Sequence, residues 1–257
     1  MTDLSQLTKG AICLTFDDGC YQQWLPNLPL FRRYQAHATF FYTRIPDEAA
    51  IASMKTLRQE GHSVGVHTVN HRDAVPNLTP ETKEEYLGKE VIPQITALSD
   101  AGVPCNYFAY PNNRRDEYTE SIMAQFFRHC RAGVIPPCPK GSWIADHDQA
   151  FLPFERVADT LTLGGIGIGD YYLSTVENLD GALERTAREN RLLTFFSHGI
   201  SPDATGVDVK TGMLEHLLAK AAELGIAMLA YDDLPGNSPH RRGHRTPLLS
   251  EFFELCN

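Results

Sequence analysis

The chain has 257 residues, of which 42% are hydrophobic and 21% charged, enough for a substantial core in one α/β domain. A formal net charge of −9 argues against nucleic acid or an acidic membrane surface as partner and leaves neutral or cationic glycans open. No apolar run approaches a membrane span. No basic segment followed by a long apolar stretch opens the sequence, which as given reads as cytoplasmic, or as secreted with its export signal already removed.

The first element is the apolar run Ala11–Phe16, which reads as a buried strand and exits into Asp17-Asp18-Gly19. Side chains alternate along an extended backbone, so the two carboxylates project in different directions. One can hold a metal while the other works as a base, although Asp-Asp-Gly is also an ordinary turn. A second strand is expected at His37–Thr43, then an amphipathic helix over Ala49–Glu60 with Gly61 as its stop. The run Ser63–Val66 leads into His67-Thr68-Val69-Asn70-His71. Two imidazoles and one carboxylate suit a transition metal and leave a coordination position for water. Two unrelated surface histidines would give the same spacing, and the zincin pattern His-Glu-x-x-His is absent.

Thr79-Pro80-Glu81 carries the signs of a helix start, and Pro93 should kink or break the helix that follows. A strand at Asn106–Ala109 exits into Tyr110-Pro111-Asn112-Asn113, a turn whose amides could face a reacting oxygen. Further strands are expected at Arg131–Ile135, around Arg156-Val157, and at Gly225–Tyr231. Gly164-Gly165-Ile166-Gly167-Ile168-Gly169 lacks the ending of a phosphate loop and the spacing of a dinucleotide fingerprint, and reads as a flexible loop. Leu192–Phe196 is followed by Ser197-His198-Gly199, where a histidine at a strand exit is placed to act as an acid. Met213–Glu223 is helical. Residues 236–257 read as a tail or linker, with a short helix possible at Leu248–Leu255, leaving 1–235 as the catalytic domain. Of six cysteines, Cys13, Cys105 and Cys130 are expected to be buried thiols and Cys20 an inert one near the site.

Strands alternate with helical patterns, and four polar clusters fall at strand exits, where parallel α/β folds collect their functional groups. The clusters also carry a family resemblance. Thr15–Gly19 and His67–His71 resemble the first two motifs of the polysaccharide deacetylases with NodB homology, carbohydrate esterase family 4. Phe108–Asn112 resembles the third motif and Leu193–His198 the last. The resemblance implies a distorted parallel (β/α) barrel of about seven strands and a metal-dependent hydrolase that removes N- or O-linked acetyl groups from a glycan. It makes Asp17 the base, Asp18, His67 and His71 the ligands of a divalent metal (zinc first, cobalt or nickel next), and His198 the acid. The Asn112 amide would be the oxyanion donor. A hydrolase of a non-carbohydrate amide or cyclic ureide, and a non-catalytic glycan-binding relative, are the competing readings.

Two departures stand out. Where the third motif has an arginine that braces the catalytic Asp, this chain has Ala109, and Asn112 replaces a usual tyrosine, a change that a backbone donor survives. The fourth motif is not evident; Glu155-Arg156-Val157 is the candidate strand for it, and Arg156 either supplies the missing positive charge or makes an ordinary surface ion pair.

Overall fold

The computed structural model describes residues 2–236. Eleven strands occur in chain order: β1 Ala11–Phe16, β2 Ala38–Tyr42, β3 Ser63–Val66, β4 Tyr107–Ala109, β5 His129–Gly133, β6 Phe151–Pro153, β7 Thr162–Gly167, β8 Arg191–Ser197, β9 Ile200–Ser201, β10 Val209–Lys210 and β11 Ala227–Leu229. Seven of them, in the order β1-β2-β3-β4-β5-β7-β8, run parallel, and β8 returns to β1 along its whole length, from Ala11 opposite Leu192 to Phe16 opposite Ser197. The barrel is closed and has the expected seven strands.

Its distortion has a definite origin at two seams. The free edge of β1 pairs with β2 only over Leu14–Phe16, while β11 takes Ala11–Cys13. In the same way β8 gives Thr194–Phe196 to β7 and Arg191–Leu193 to the antiparallel β6. Both seams therefore open at their amino-terminal ends and are filled by a short extra strand.

Alternation along the strands sorts the side chains into two cores. Ile12, Leu14, Phe16, Phe40, Val64, Val66, Phe108 and Phe195 belong to the large cluster beneath the helices. Ala11, Cys13, Phe41, Tyr107, Ala109, Leu163 and Leu192 form a smaller cluster inside the barrel. The inward series on β1 ends at Asp17 and that on β3 at His67, so both reach the mouth from the interior side.

The helix expected at Ala49–Glu60 spans Glu48–Gln59, is capped by the Asp47 carboxylate, and buries Ala50, Met54 and Leu57. The helix expected at Met213–Glu223 spans Thr211–Leu224. The start read at Thr79 is early, because Thr79 and Thr82 bond each other and the helix begins at Lys83. Ahead of Pro93 the helix widens into a π-turn over Leu87–Val91. Proline supplies no amide and its ring crowds the preceding turn, which a wider turn relieves. Cys13 and Cys130 are buried and Cys105 is half-buried.

Two assignments change. The glycine run is not a loop: Thr162–Gly167 is barrel strand β7, and its glycines are bare because neighbours fill their space. A Cβ on Gly167 would lie 2.4 Å from the Tyr172 ring, and one on Gly165 would lie 3.0 Å from Phe196. The segment around Arg156 is not a strand but the short helix Phe154–Val157, started by Pro153. The expected tail and its short helix, from residue 237 onward, lie outside the described residues.

Candidate active site

Asp18 leaves β1 with φ of 70°, a left-handed conformation that a non-glycine residue adopts only under constraint. That turn sends its carboxylate across to the loop after β3, where Thr68 and His71 also have positive φ, 63° and 53°. Asp18 Oδ1 lies 3.6 Å from His67 Nε2 and 3.6 Å from His71 Nε2. One ligand atom from each of the three lies within 4.8 Å of the others, the one such cluster of His, Cys, Asp or Glu among the described residues. The two imidazoles meet edge to face with centroids 4.8 Å apart.

The donor set fits a divalent metal on its own chemistry. His67 Nδ1 donates to the Ala109 carbonyl at 2.7 Å, which leaves the Nε2 lone pair facing Asp18. Burial, the largest influence, holds the His67 pKa below its ordinary value, so the ring is neutral and ready to ligate. The loop is clamped by Glu90 of the π-turn, a buried carboxylate that the sequence reading did not single out. It accepts the Asn70 amide at 2.8 Å and the Asn70 side chain at 3.0 Å, and its own carbonyl accepts the Val69 amide.

Asp17 is buried, 2% exposed, and its two oxygens have different surroundings. Oδ2 accepts from the Arg131 guanidinium, while Oδ1 takes no hydrogen bond among the described residues. Arg131 is the charge expected from Arg156. Arg156 itself is exposed on the helix Phe154–Val157, turned away from the barrel interior that holds Asp17. Arg131 stands on β5 directly opposite Ala109 on β4, so the cation sits one strand over at the same height. It also donates to Asn113 Oδ1 and lies 4.7 Å above the Phe196 ring. A lone charge inside an otherwise apolar predicted strand was the one signal for it.

His198 follows β8, with Nδ1 facing the Val207 carbonyl at 3.3 Å and Nε2 3.8 Å from Asp18 Oδ2. Burial lowers its pKa and the Asp18 charge opposes that shift. Its backbone is fixed by the Trp24 indole, which donates to the His198 carbonyl at 2.7 Å, and by Asp208, which accepts the Gly199 amide at 2.8 Å. Neither partner was anticipated from the sequence. Asn112 sits in the short turn Pro111–Asn113 with φ of 53°. Amides in the first turn of a helix have no intrahelical acceptor. Its side chain and Arg114 both bond Asp73, which ties this loop to the one carrying His71. Cys20 is half-buried, and burial pushes its thiol up to about 12, as an inert cysteine requires.

Residues 5–127 match the family model described as polysaccharide deacetylase. That stretch, just under half of the chain, resembles the polysaccharide deacetylases. A chitin deacetylase of Arthroderma benhamiae is 40% identical over 78 residues, 28% of this chain and 20% of that protein. A peptidoglycan-N-acetylglucosamine deacetylase of Bacillus cereus is 41% identical over 77 residues, 30% of this chain and 36% of that protein. The matched stretches thus span about a fifth to a third of these relatives. Among solved structures, a family 4 acetyl xylan esterase from Clostridium thermocellum in complex with a cobalt ion aligns with a TM-score of 0.55 at 15% identity. The alignment covers 87% of this chain and 89% of that one. That likeness shows a shared fold that includes β5 to β8, beyond the stretch that the sequence match covers.

Proposed function

We propose that the chain is a metal-dependent hydrolase that releases an acyl group from an N- or O-acylated carbohydrate. The observation that carries the reading is a three-ligand cluster beside a buried carboxylate with one oxygen braced and the other free. Asp18, His67 and His71 would hold the metal. Nitrogen and oxygen donors suit zinc first and cobalt or nickel next. A divalent cation held there polarises a carbonyl and makes water a nucleophile near neutral pH.

The chain's own groups supply the rest. Asp17 Oδ1 takes the proton from the attacking water while Arg131 holds Oδ2. The Asn112 amide donates to the oxygen that gains charge as the carbonyl carbon becomes tetrahedral. His198, whose Nδ1 faces a backbone carbonyl, presents Nε2 to protonate the departing amine or alcohol. Arg131 supports the catalytic reading over the non-catalytic one, because a cation takes the place of the missing brace from the neighbouring strand.

The test is metal analysis together with acetate release from chitooligosaccharide and acetylated xylan. One divalent metal per chain and chelator-sensitive release are expected. His67→Ala protein that keeps the parental metal content would overturn the ligand assignment, and a metal-loaded chain inert on every acyl substrate would overturn the hydrolase.

A further inference from the structure

Two concavities of opposite character flank the reaction centre. One is open and polar, lined by Asp18 and His71 with Thr43, Arg44 and Asn70. The other is a cavity of about 340 Å³ between the ends of β5 and β7 and the segment that follows β5. Its walls include Ile135, Cys138, Ile166, Tyr172 and Phe196, and Asn112 and Asn113 stand along one side. It joins the reaction centre through shared side chains: Asn113 accepts from Arg131, and the Arg131 guanidinium lies over Phe196. His198 does not line it.

Of β7, only Ile166 presents a side chain to the cavity, since Gly165 and Gly167, which also line it, carry none. A methyl group has about the bulk of one water, roughly 30 Å³. An acetyl methyl would therefore leave most of the cavity filled with water against apolar walls, while the volume falls in the range of small-molecule sites. At its mouth Ile135 is 62% exposed, and Leu173, next to Gly141 of the lining, is 60% exposed, so the apolar surface continues outward.

We propose that this cavity receives the acyl substituent, and that the preferred substrate carries a linear acyl chain of about four to eight carbons, long enough to fill it. The inference rests on the hydrolase reading above and specifies its substrate. The geometry assigns the two sides. A carbonyl carbon bears an oxygen, an acyl chain and a leaving group. The leaving group must lie toward His198, and the oxygen toward the Asn112 amide. The acyl chain then points to the cavity that Asn112 borders and His198 does not, and the carbohydrate occupies the open polar side. In the reaction water adds to the carbonyl carbon, the carbon–nitrogen bond breaks, and the amine leaves with the added proton, giving one carboxylate and one ammonium group.

The experiment measures kcat/KM of the metal-loaded protein on chitotriose N-acylated with acetyl, butyryl, hexanoyl or octanoyl groups, read as amine release. Each buried methylene is worth up to about fourfold, so at least a tenfold rise from acetyl to hexanoyl is expected. Acetyl cleavage with a flat or falling series overturns this inference and leaves the hydrolase intact. No cleavage of any member overturns this inference, and overturns the hydrolase as well when acetylated xylan is also left intact. Cys138→Phe, which places a ring in the cavity, is expected to lower the hexanoyl-to-acetyl ratio at least tenfold in protein whose thermal melt matches the parent. An unchanged ratio in that variant overturns the assignment of the cavity.

Discussion

On the side of the mouth formed by β1 and β3, the proposed base and metal ligands come from two strand exits, and the backbone that carries them is held in left-handed conformations at Asp18, Thr68 and His71. On the side formed by β4, β5 and β7, the β4 exit also turns left-handed, at Asn112 and Asn113, but what distinguishes this side is register and missing side chains. Arg131 reaches in from the strand next to Ala109, and Gly165 and Gly167 line the cavity without side chains of their own. The first side sets which chemistry is possible, because ligand identity cannot move without losing the cluster. The second side sets how the base is aimed and what fits beside it. Those duties can migrate between neighbouring strands, since any inward position at the same height reaches the same point.

The sharpest break of this contrast is Asp17→Asn. The amide cannot accept the proton, so kcat is expected to fall by roughly two to four orders of magnitude, with metal content close to that of the parent. Loss of metal along with turnover would show that Asp17 is also a ligand and that the β1 exit does not divide its carboxylates as argued.

The second test asks whether the duty on the other side is transferable. Arg131→Ala leaves a buried carboxylate unpaired, which costs about 3–5 kcal/mol of stability, and kcat should fall with it. Arg131→Lys keeps the charge without the fork and should recover stability more than activity. The decisive variant is the double change Arg131→Ala with Ala109→Arg, which returns the cation to β4. Recovery of turnover above either the Ala or the Lys variant is expected. A well-folded double variant with no recovery would mean that position, not charge, is what β5 contributes.

This division also explains what could be read in advance. The β1 and β3 exits were legible because the chemistry sits in contiguous residues, Asp17-Asp18 and His67 to His71, each behind an apolar run. Arg131 was not assigned because its role depends on pairing between β4 and β5, a register that no local pattern encodes. The glycine run was taken for a loop because strand propensity counts side chains, whereas β7 is set by the neighbours that occupy its empty positions. Glu90 was hidden for a similar reason. A charge in the acidic run Glu84–Glu90 reads as solvent-facing, although Glu90 lies one turn on from the buried Tyr86 and Leu87 and shares their face.

A smaller effect separates scaffold from site on the first side. His62, just before β3, accepts the Ala38 amide at 3.1 Å and packs among the Phe31 and Phe40 rings. Burial lowers its pKa to about 4, against about 6.5 when unfolded. The unfolded chain therefore binds the proton more readily. The stabilisation is fully present above pH 6.5 and is lost as pH falls toward 4, up to ~3 kcal/mol. Urea melts across that window should show the slope in the parent and a flatter curve in His62→Gln, which can still accept the Ala38 amide. Equal slopes would remove His62 from the account.

The smallest effect expected is at Glu90, and it asks whether the strained loop on the first side is held from outside or holds itself. Thr68 and His71 keep positive φ at a cost of about 1–3 kcal/mol each, so something must over-determine the loop. The Glu90 carboxylate is the evident clamp, one oxygen on the Asn70 amide and the other on the Asn70 side chain. In Glu90→Gln one of those oxygens becomes a donor that faces another donor, and the surviving bond loses its charge. The fold should persist, since the Glu90 carbonyl still accepts the Val69 amide. What should change is the precision with which His71 is presented. Supporting contacts of this kind are worth about tenfold or more in metal affinity. Titration against a competing chelator is therefore expected to show metal binding weakened by about tenfold, with little change in the thermal melt of the metal-free protein. Affinity equal to the parent would mean that the left-handed residues are fixed by the loop's own contacts, such as Thr68 Oγ1 on the Arg72 amide.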